Sequence, residues 1–500
     1  MLFRSRRFVD GWLAHADKQT GLIPRNLTRD THIWNPQDSA ADNYPFMVLT
    51  CALTDRALFD GRMLDMLRTE TRLTSRVDRL PDTFSFTTQG FAADGVDMPG
   101  IIFGSSEYVK DGLMPLTEWL GPSPWCDRMI DILEDIWKHA AFETPFGTIP
   151  SNNIEVNGEQ LQVLCRIFWM TGDAKYLDWA QRIGDYYLLG DQHPTRNQTR
   201  VALQDHGCEI ISGLCELYTT VHYARPQKKK AYEPPLREMM DRILEVGRND
   251  HGLFHFAMNP KTGEAIGELT DNWGYNLNGF YDIFLVDGVP AYRHAVRDAL
   301  SNLKAHYTGY RWQGGSADGY ADSIEGAINL FNREPIDSAL EWIDTEIDAM
   351  WAKQGPDGVI EGWHGDGNVA RTAIMFALLR TCGLTVQPWR ADVRIGAVEK
   401  DGAVYVSLYA AEESWTGRLV ADKPRHRVNL NLPIDYPRIN QFPEWFTVAS
   451  DDAFTVGPAG SGEQQAVSGA QFLEGVPITL PPRTELRLVV ARTGAMPGAR

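Results

Sequence analysis

Carboxylic acids recur beside amides, imidazoles and aromatic rings at six places in this sequence. These are Asp38-Ser-Ala-Ala-Asp-Asn43, Ser151-Asn-Asn-Ile-Glu155, Gln204-Asp205-His206-Gly, Asp271-Asn272-Trp273-Gly-Tyr275, Ser316-Ala-Asp318-Gly-Tyr320-Ala-Asp-Ser-Ile-Glu325 and Trp363-His364-Gly-Asp366-Gly-Asn-Val-Ala-Arg371. Two carboxyl groups flanking one bond, one protonated and one ionised, are what cleavage of a glycosidic bond requires. Asp318, Asp366, Glu325, Glu155 and Asp205 are therefore the candidate catalytic acids. Asp318 is the expected general acid, because Tyr320 and Asp322 beside it would raise its pKa. Asp366 is its expected partner, positioned with His364, and the flanking Gly365 and Gly367 leave room for close approach.

A blander reading applies to each acid. Asp, Ser and Asn are the preferred helix N-caps, and Asp322-Ser-Ile-Glu325 has the spacing of a capping box. Capping does not, however, call for the neighbouring rings. A sugar offers a C–H face for stacking and hydroxyls for polar contacts. That gives His206, His364, Tyr320, Trp363, Trp273, Asn272 and Asn43 as candidate binding residues, with Arg371 placed to pair with a loop acid or to hold a substrate carboxylate.

These stretches are positioned by a repeat. Helix-period apolar stripes predict outer helices near 4–16, 61–75, 125–141, 174–189, 233–248, 290–306 and 337–352. Each is followed by a more apolar inner helix, near 43–57, 105–120, 155–171, 207–222, 273–286, 320–332 and 368–381. The expected fold is mainly α, an (α/α)6-type toroid of six or seven hairpins with every inner-helix start at one mouth. The hairpin opening at Ser105-Ser-Glu-Tyr is the least polar of the set. After residue 382 the period becomes alternating, with strands expected at 404–409, 417–420, 427–432, 445–448 and 486–490. The organisation this predicts is a toroid over 1–386, an antiparallel β-sandwich over 387–493 and a disordered tail over 494–500.

A formal charge of −18 and a pI near 5.1 speak against nucleic-acid and anionic-membrane partners. No window reaches the roughly 20 apolar residues of a membrane span. The N-terminus lacks a secretory pattern, so a cytoplasmic location is expected. The six cysteines read as free buried thiols. Walker A, HExxH, GxSxG and GxGxxG motifs are missing, His364-Gly-Asp-Gly is too short for a calcium loop, and neither cofactor nor metal is expected. Lys228-Lys-Lys reads as a solvated turn.

In architecture the chain resembles the six-hairpin glycosidase superfamily. Trp12-Leu-Ala-His-Ala-Asp-Lys-Gln-Thr-Gly-Leu-Ile-Pro-Arg, Asp318-Gly-Tyr-Ala-Asp-Ser-Ile-Glu-Gly-Ala and Trp363-His-Gly-Asp-Gly-Asn-Val-Ala-Arg-Thr-Ala are similar to glycoside hydrolase family 154, which is associated with β-glucuronidase activity. The resemblance implies an exo-acting hydrolase that removes terminal β-linked glucuronic acid from oligosaccharides, with oligomeric state left open. Two alternatives stand beside it. One is a uronate lyase using Asn153, His206, Tyr320 and Arg371, and the other is a non-catalytic carbohydrate-binding toroid.

Overall fold

The computed structural model describes residues 1–493, with His206 described by its backbone alone. The expected disordered tail, 494–500, lies outside the described residues. Helices alternate between an outer and an inner layer. In chain order they are α1 (Leu2–Ala14), α2 (Tyr44–Thr54), α3 (Leu64–Thr74), α4 (Met98–Glu107), α5 (Met114–Leu120), α6 (Pro124–Lys138), α7 (Ile154–Thr171) and α8 (Ala174–Leu188). Then follow α9 (Cys208–Ala224), α10 (Pro226–Val246), α11 (Trp273–Asp287), α12 (Pro290–His306), α13 (Ala317–Arg333), α14 (Asp337–Trp351) and α15 (Asn368–Arg380). The inner layer runs α2, α4 with α5, α7, α9, α11, α13, α15, and α15 packs back on α1 and α2, which closes a ring of seven hairpins among the described residues.

Two forces make this ring. The inner helices are apolar on nearly every face, and Phe46, Met47, Val48, Leu161, Leu164, Ile211, Leu214, Phe280 and Ile374 are all buried. The outer helices carry one apolar stripe and bury only that. Small residues set the inner crossings: Gly274 of α11 meets Gly326 of α13 so closely that a Cβ on Gly274 would lie 2.4 Å from the Gly326 Cα. Gly158 of α7 lies likewise against the backbone of Glu209, where a Cβ would come within 2.3 Å.

The inner layer departs from regular α-helix twice, in ways the apolar pattern does not show. Pro36–Asn43 leads into α2 as a π-helix, and Tyr108–Leu113 joins α4 to α5 as another. The two π-segments pack side by side. Such wide turns are rare and gather at functional sites.

Eight strands follow: β1 (Thr385–Gln387), β2 (Val393–Lys400), β3 (Ala403–Ala410), β4 (Trp415–Val420), β5 (Ala453–Pro458), β6 (Gln465–Ser468), β7 (Val476–Leu480) and β8 (Glu485–Arg492). They form two antiparallel sheets, of order β2-β3-β8-β5-β6 and β7-β4-β1, over one apolar core that includes Val404, Val406, Trp415, Leu419, Ile478 and Val490. Two expected strands are absent. Residues 425–428 are a helical turn and 445–448 are irregular apart from one bridge, Asp422 with Thr447. The reason is tertiary. The chain between β4 and β5 leaves the sheets, and Leu430, Leu432, Tyr436 and Phe442 join the core of the toroid. In the first segment Leu430 and Leu432 are thus spent on the ring, whereas Phe446 and Val448 of the second pack into the core of the sheets without joining a strand ladder.

Two smaller expectations are also corrected. Lys228-Lys-Lys lies inside α10, where Lys228 pairs with Asp185 at 2.8 Å and Lys229 with Asp287 at 2.6 Å. Asp322 and Glu325 form no capping box, because α13 begins at Ala317 and its cap is Ser316, whose Oγ accepts from the Gly319 N–H. The cysteines are free thiols, five buried and Cys382 partly so. No described helix is long and apolar enough to cross a membrane.

Candidate active site

The starts of the inner helices surround one cavity of about 500 Å³. Its wall is built from acid pairs four residues apart, one pair on each of five inner-layer elements: Asp38 and Asp42, Glu107 and Asp111, Glu155 and Glu159, Asp205 and Glu209, Asp318 and Asp322. Four residues is about one turn, so both members of each pair face the lumen. With Asp366 this makes eleven carboxyls against Arg25, Lys110, Arg371 and His364. Inner-helix N-termini ease that crowding, since their free N–H groups carry partial positive charge.

Each of these cations has acidic partners. Arg25 bonds Asp38, and it meets Asp30 at 2.6 Å. Lys110 Nζ lies 2.7 Å from Asp111 and 2.6 Å from Glu209. Arg371 donates to Asp322 at 2.6 Å, Asn368 at 3.0 Å and Asn440 at 2.7 Å, and its Nη2 is 2.8 Å from Glu325. Burial alone would strip the proton from His364, but Asp42, 3.4 Å away, and Asp38 hold it on and lift its pKa to about 9. The imidazole is thus a cation at neutral pH.

Asp366 is different. It is 1% exposed, neither of its oxygens has a hydrogen-bond partner, and it lines the cavity. Burial, and then the charge of Asp318, hold it well above the ordinary carboxylate range. Its loop reaches this position because Gly365 and Gly367 pack on Asn43, where side chains would collide: a Cβ on Gly367 would lie 2.2 Å from the Asp42 carbonyl oxygen. Asp318 is less buried, and its Oδ1 accepts from Asn368 Nδ2 at 2.8 Å. Burial also lifts Asp322 to about 6 and Glu209 to about 7.

Of the residues singled out in the sequence, Asp318, Asp366, Glu155, Asp205, Arg371 and His364 line the cavity, as do Asn272 and Trp363. Trp363 is 67% exposed at the rim, with Arg25 and Arg29 over its ring. Four others do not line it. Glu325 is fully buried beneath Arg371, where it accepts from Tyr275 Oη at 2.6 Å. Trp273 is buried against Ser323, to which its Nε1 donates at 2.8 Å. Tyr320 lies under Lys353, and Asn43 packs behind Gly365. The side chain of His206 lies outside the described residues. The set named for a lyase is not assembled, since Tyr320 points elsewhere and Asn153 caps α7 by accepting from the Glu155 and Val156 N–H groups.

Sequence reading passed over Glu107, Lys110, Asp111, Glu159 and Asn440. The first three belong to the hairpin judged least polar, which the structure corrects: its π-segment turns them into the lumen. Asn440 arrives from the strap between β4 and β5. That strap crosses the far end of the ring, where Arg438 pairs with Glu118 at 2.7 Å and Tyr436 Oη donates to Glu216 at 3.1 Å. Ile439 and Asn440 then form part of the cavity lining. Asn440 sits at φ 61°, a left-handed conformation that Asn tolerates better than most residues. Its N–H donates to Glu325 at 2.6 Å, its Oδ1 accepts from Arg371 and its Nδ2 donates to Asp111 at 2.7 Å.

No protein-family model and no curated protein matches this sequence. Among solved structures, the GH76A α-1,6-mannanase of Salegentibacter sp. HEL1_6 is similar at 12% identity and TM-score 0.43, covering 61% of this chain and 94% of its own. The family 76 glycoside hydrolase (mannosidase) Bt3792 of Bacteroides thetaiotaomicron VPI-5482 aligns at 10% identity and TM-score 0.42, over 76% of this chain and 98% of its own. A cellobiose 2-epimerase of Bacillus thermoamylovorans B4167 aligns at 12% and 0.37, over 73% and 90%. Likeness at this level says nothing of what this chain acts on.

The strap yields a prediction. Asn440→Ala loses two buried hydrogen bonds to charged groups, worth about 3 to 6 kcal/mol together, and leaves Ala in a left-handed conformation that costs it about 1 to 2 kcal/mol relative to Gly. Asn440→Gly loses only the bonds. Thermal melting should rank wild type above Gly and Gly above Ala. An Ala variant as stable as the Gly variant would show that the backbone conformation does not matter there.

Proposed function

We propose that the cavity is the active site of a glycoside hydrolase. Asp366 carries this reading. A buried carboxyl without a hydrogen-bond partner, held well above the ordinary carboxylate range in the wall of a polar cavity, is poised to give a proton to a leaving-group oxygen. Asp318, more exposed and steadied by Asn368, is the partner that activates water or attacks carbon. Burial thus favours the reverse of the roles expected from the sequence. Trp363 at the rim offers an apolar face for a sugar ring. A lumen lined at depth by Ile439 and Asn440 supports removal of a terminal sugar over cleavage within a chain.

The sugar is assigned from the family 154 resemblance as β-linked glucuronic acid. A neutral hexose is the second reading, favoured by the eleven carboxyls and by cavity cations that are already paired. Matched aryl β-glucuronide and β-glucoside substrates separate the two. The first reading expects a kcat/KM ratio favouring the glucuronide by at least about tenfold, the low end of a charge-assisted contact. A ratio below one favours the second. Product masses test the reaction itself, since added water marks hydrolysis and an unsaturated uronate would overturn it.

A further inference from the structure

Among the described residues, three groups of side chains bring oxygen or nitrogen donors together closely enough to hold a cation. Two are satisfied from within. His364, with Asp38 and Asp42, supplies its own positive charge, and Asp38 is bonded to Arg25 and Asn35 besides. In the second, Glu444 takes the His426 N–H at 2.7 Å and its ring at 2.9 Å, while Asp435 is paired with Arg333 and Arg438.

The third is not. Carboxylate oxygens of Glu107, Asp111 and Glu159 lie within 4.8 Å of one another on the cavity wall. Glu159 is 1% exposed and its Oε2 has no hydrogen-bond partner. Burial holds Glu159 and Glu107 well above the ordinary carboxylate range, so either shared protons or a bound cation would satisfy this oxygen. Lys110, the cation in this part of the wall, is divided between Asp111 and Glu209.

We propose that Glu107, Asp111 and Glu159 form a binding site for a hard divalent cation of the calcium type. All three donors are oxygen, which selects against zinc and copper. Oxygens within 4.8 Å of one another are close enough to share one ion, and calcium's irregular shell accepts side chains from two separate helical segments more readily than the near-ideal octahedron that magnesium demands. Asp111 is already oriented as a ligand, because its Oδ1 accepts from Lys110 and from Asn440, both at 2.7 Å. The open lumen leaves room for water or sugar hydroxyls to complete the six to eight oxygens calcium takes. Open positions on such an ion could also take an oxygen of a sugar carboxylate directly. The sequence alone pointed to no metal, because Glu107 and Asp111 meet Glu159 only through the packing of α4 and its π-segment on α7.

The test needs no substrate, so its outcome is separate from the hydrolase reading. The full chain is stripped with EDTA, dialysed and titrated with calcium chloride by calorimetry, with melting followed in parallel. One ion per chain, a raised melting temperature and a weaker response to magnesium are expected. Glu159→Gln and Glu107→Gln should each weaken calcium binding by at least about tenfold, as loss of a ligand does. Should Glu159→Gln fail to fold, Glu107→Gln, which is less buried, decides. Wild type that neither binds nor is stabilised by millimolar calcium overturns the site, and the carboxyls then share protons. Unchanged affinity in a folded variant overturns it too, because the ion then lies elsewhere.

Discussion

Asp366→Asn is expected to lower turnover by orders of magnitude while making the protein more stable at neutral pH. Loss of a general acid costs about a hundred- to ten-thousandfold in rate. The gain in stability has a separate cause. Asp366 is held well above its ordinary pKa, by burial first and then by Asp318. The folded state therefore keeps a proton that the unfolded chain gives up above about pH 4. As pH rises past that point, folding must either retain the proton against solution or ionise a buried, unpartnered carboxyl, so the contribution of this group turns increasingly unfavourable. The amide carries no such dependence. Melting temperatures of parent and variant should coincide near pH 4 and separate toward pH 8, with the variant higher. A variant that keeps most of its activity would move the acid role to another lumen carboxyl, and parallel stability profiles would show that Asp366 ionises freely.

Arg371→Ala should be the most destabilising change at this site. Its guanidinium ties α15 to Asp322 and Glu325 of α13 and to Asn440 of the strap. Glu325 is fully buried, and burial already lifts it to about 7 despite the arginine. Removing one side of a buried charge pair costs about 3 to 5 kcal/mol, because the other side stays behind unpaired. Lysine should rescue little, since one ammonium cannot replace the planar fork. With both terminal nitrogens committed to protein acceptors, activity on glucuronide and glucoside should fall together. A folded Ala variant with selective loss on the glucuronide would show instead that Arg371 reads the substrate carboxylate.

These expectations rest on geometry that the sequence discloses only in part. The acid pairs are legible in it: Asp38 and Asp42, Glu155 and Glu159, Asp205 and Glu209, and Asp318 and Asp322 each stand four apart at or near an inner-helix start, and Glu107 and Asp111 keep the same spacing where α4 runs into its π-segment. Like charges at that spacing are unfavourable on a lone helix, so their recurrence is a stronger sign of a shared lumen than any single acid. The aromatic neighbours mislead for the same geometric reason. A helix turns about 100° per residue, so Tyr320, two after Asp318, faces roughly the opposite way, toward Lys353. Glu325 keeps the face of Asp318 but lies about 10 Å further along the axis, beneath Arg371.

What the sequence determined by itself was the hairpin repeat, the switch to strands near residue 385 and the end of the ring at which polar residues gather. Helix period and strand alternation are local properties, written in every few residues. Tertiary structure alone decided which acids meet, that Asp366 stays without a partner, and that the strap leaves its sheets to set Asn440 against Arg371. Those outcomes depend on the packing of segments tens to hundreds of residues apart, on π-turns that shift side chains around an axis, and on glycines that let backbones close in. No local pattern encodes them.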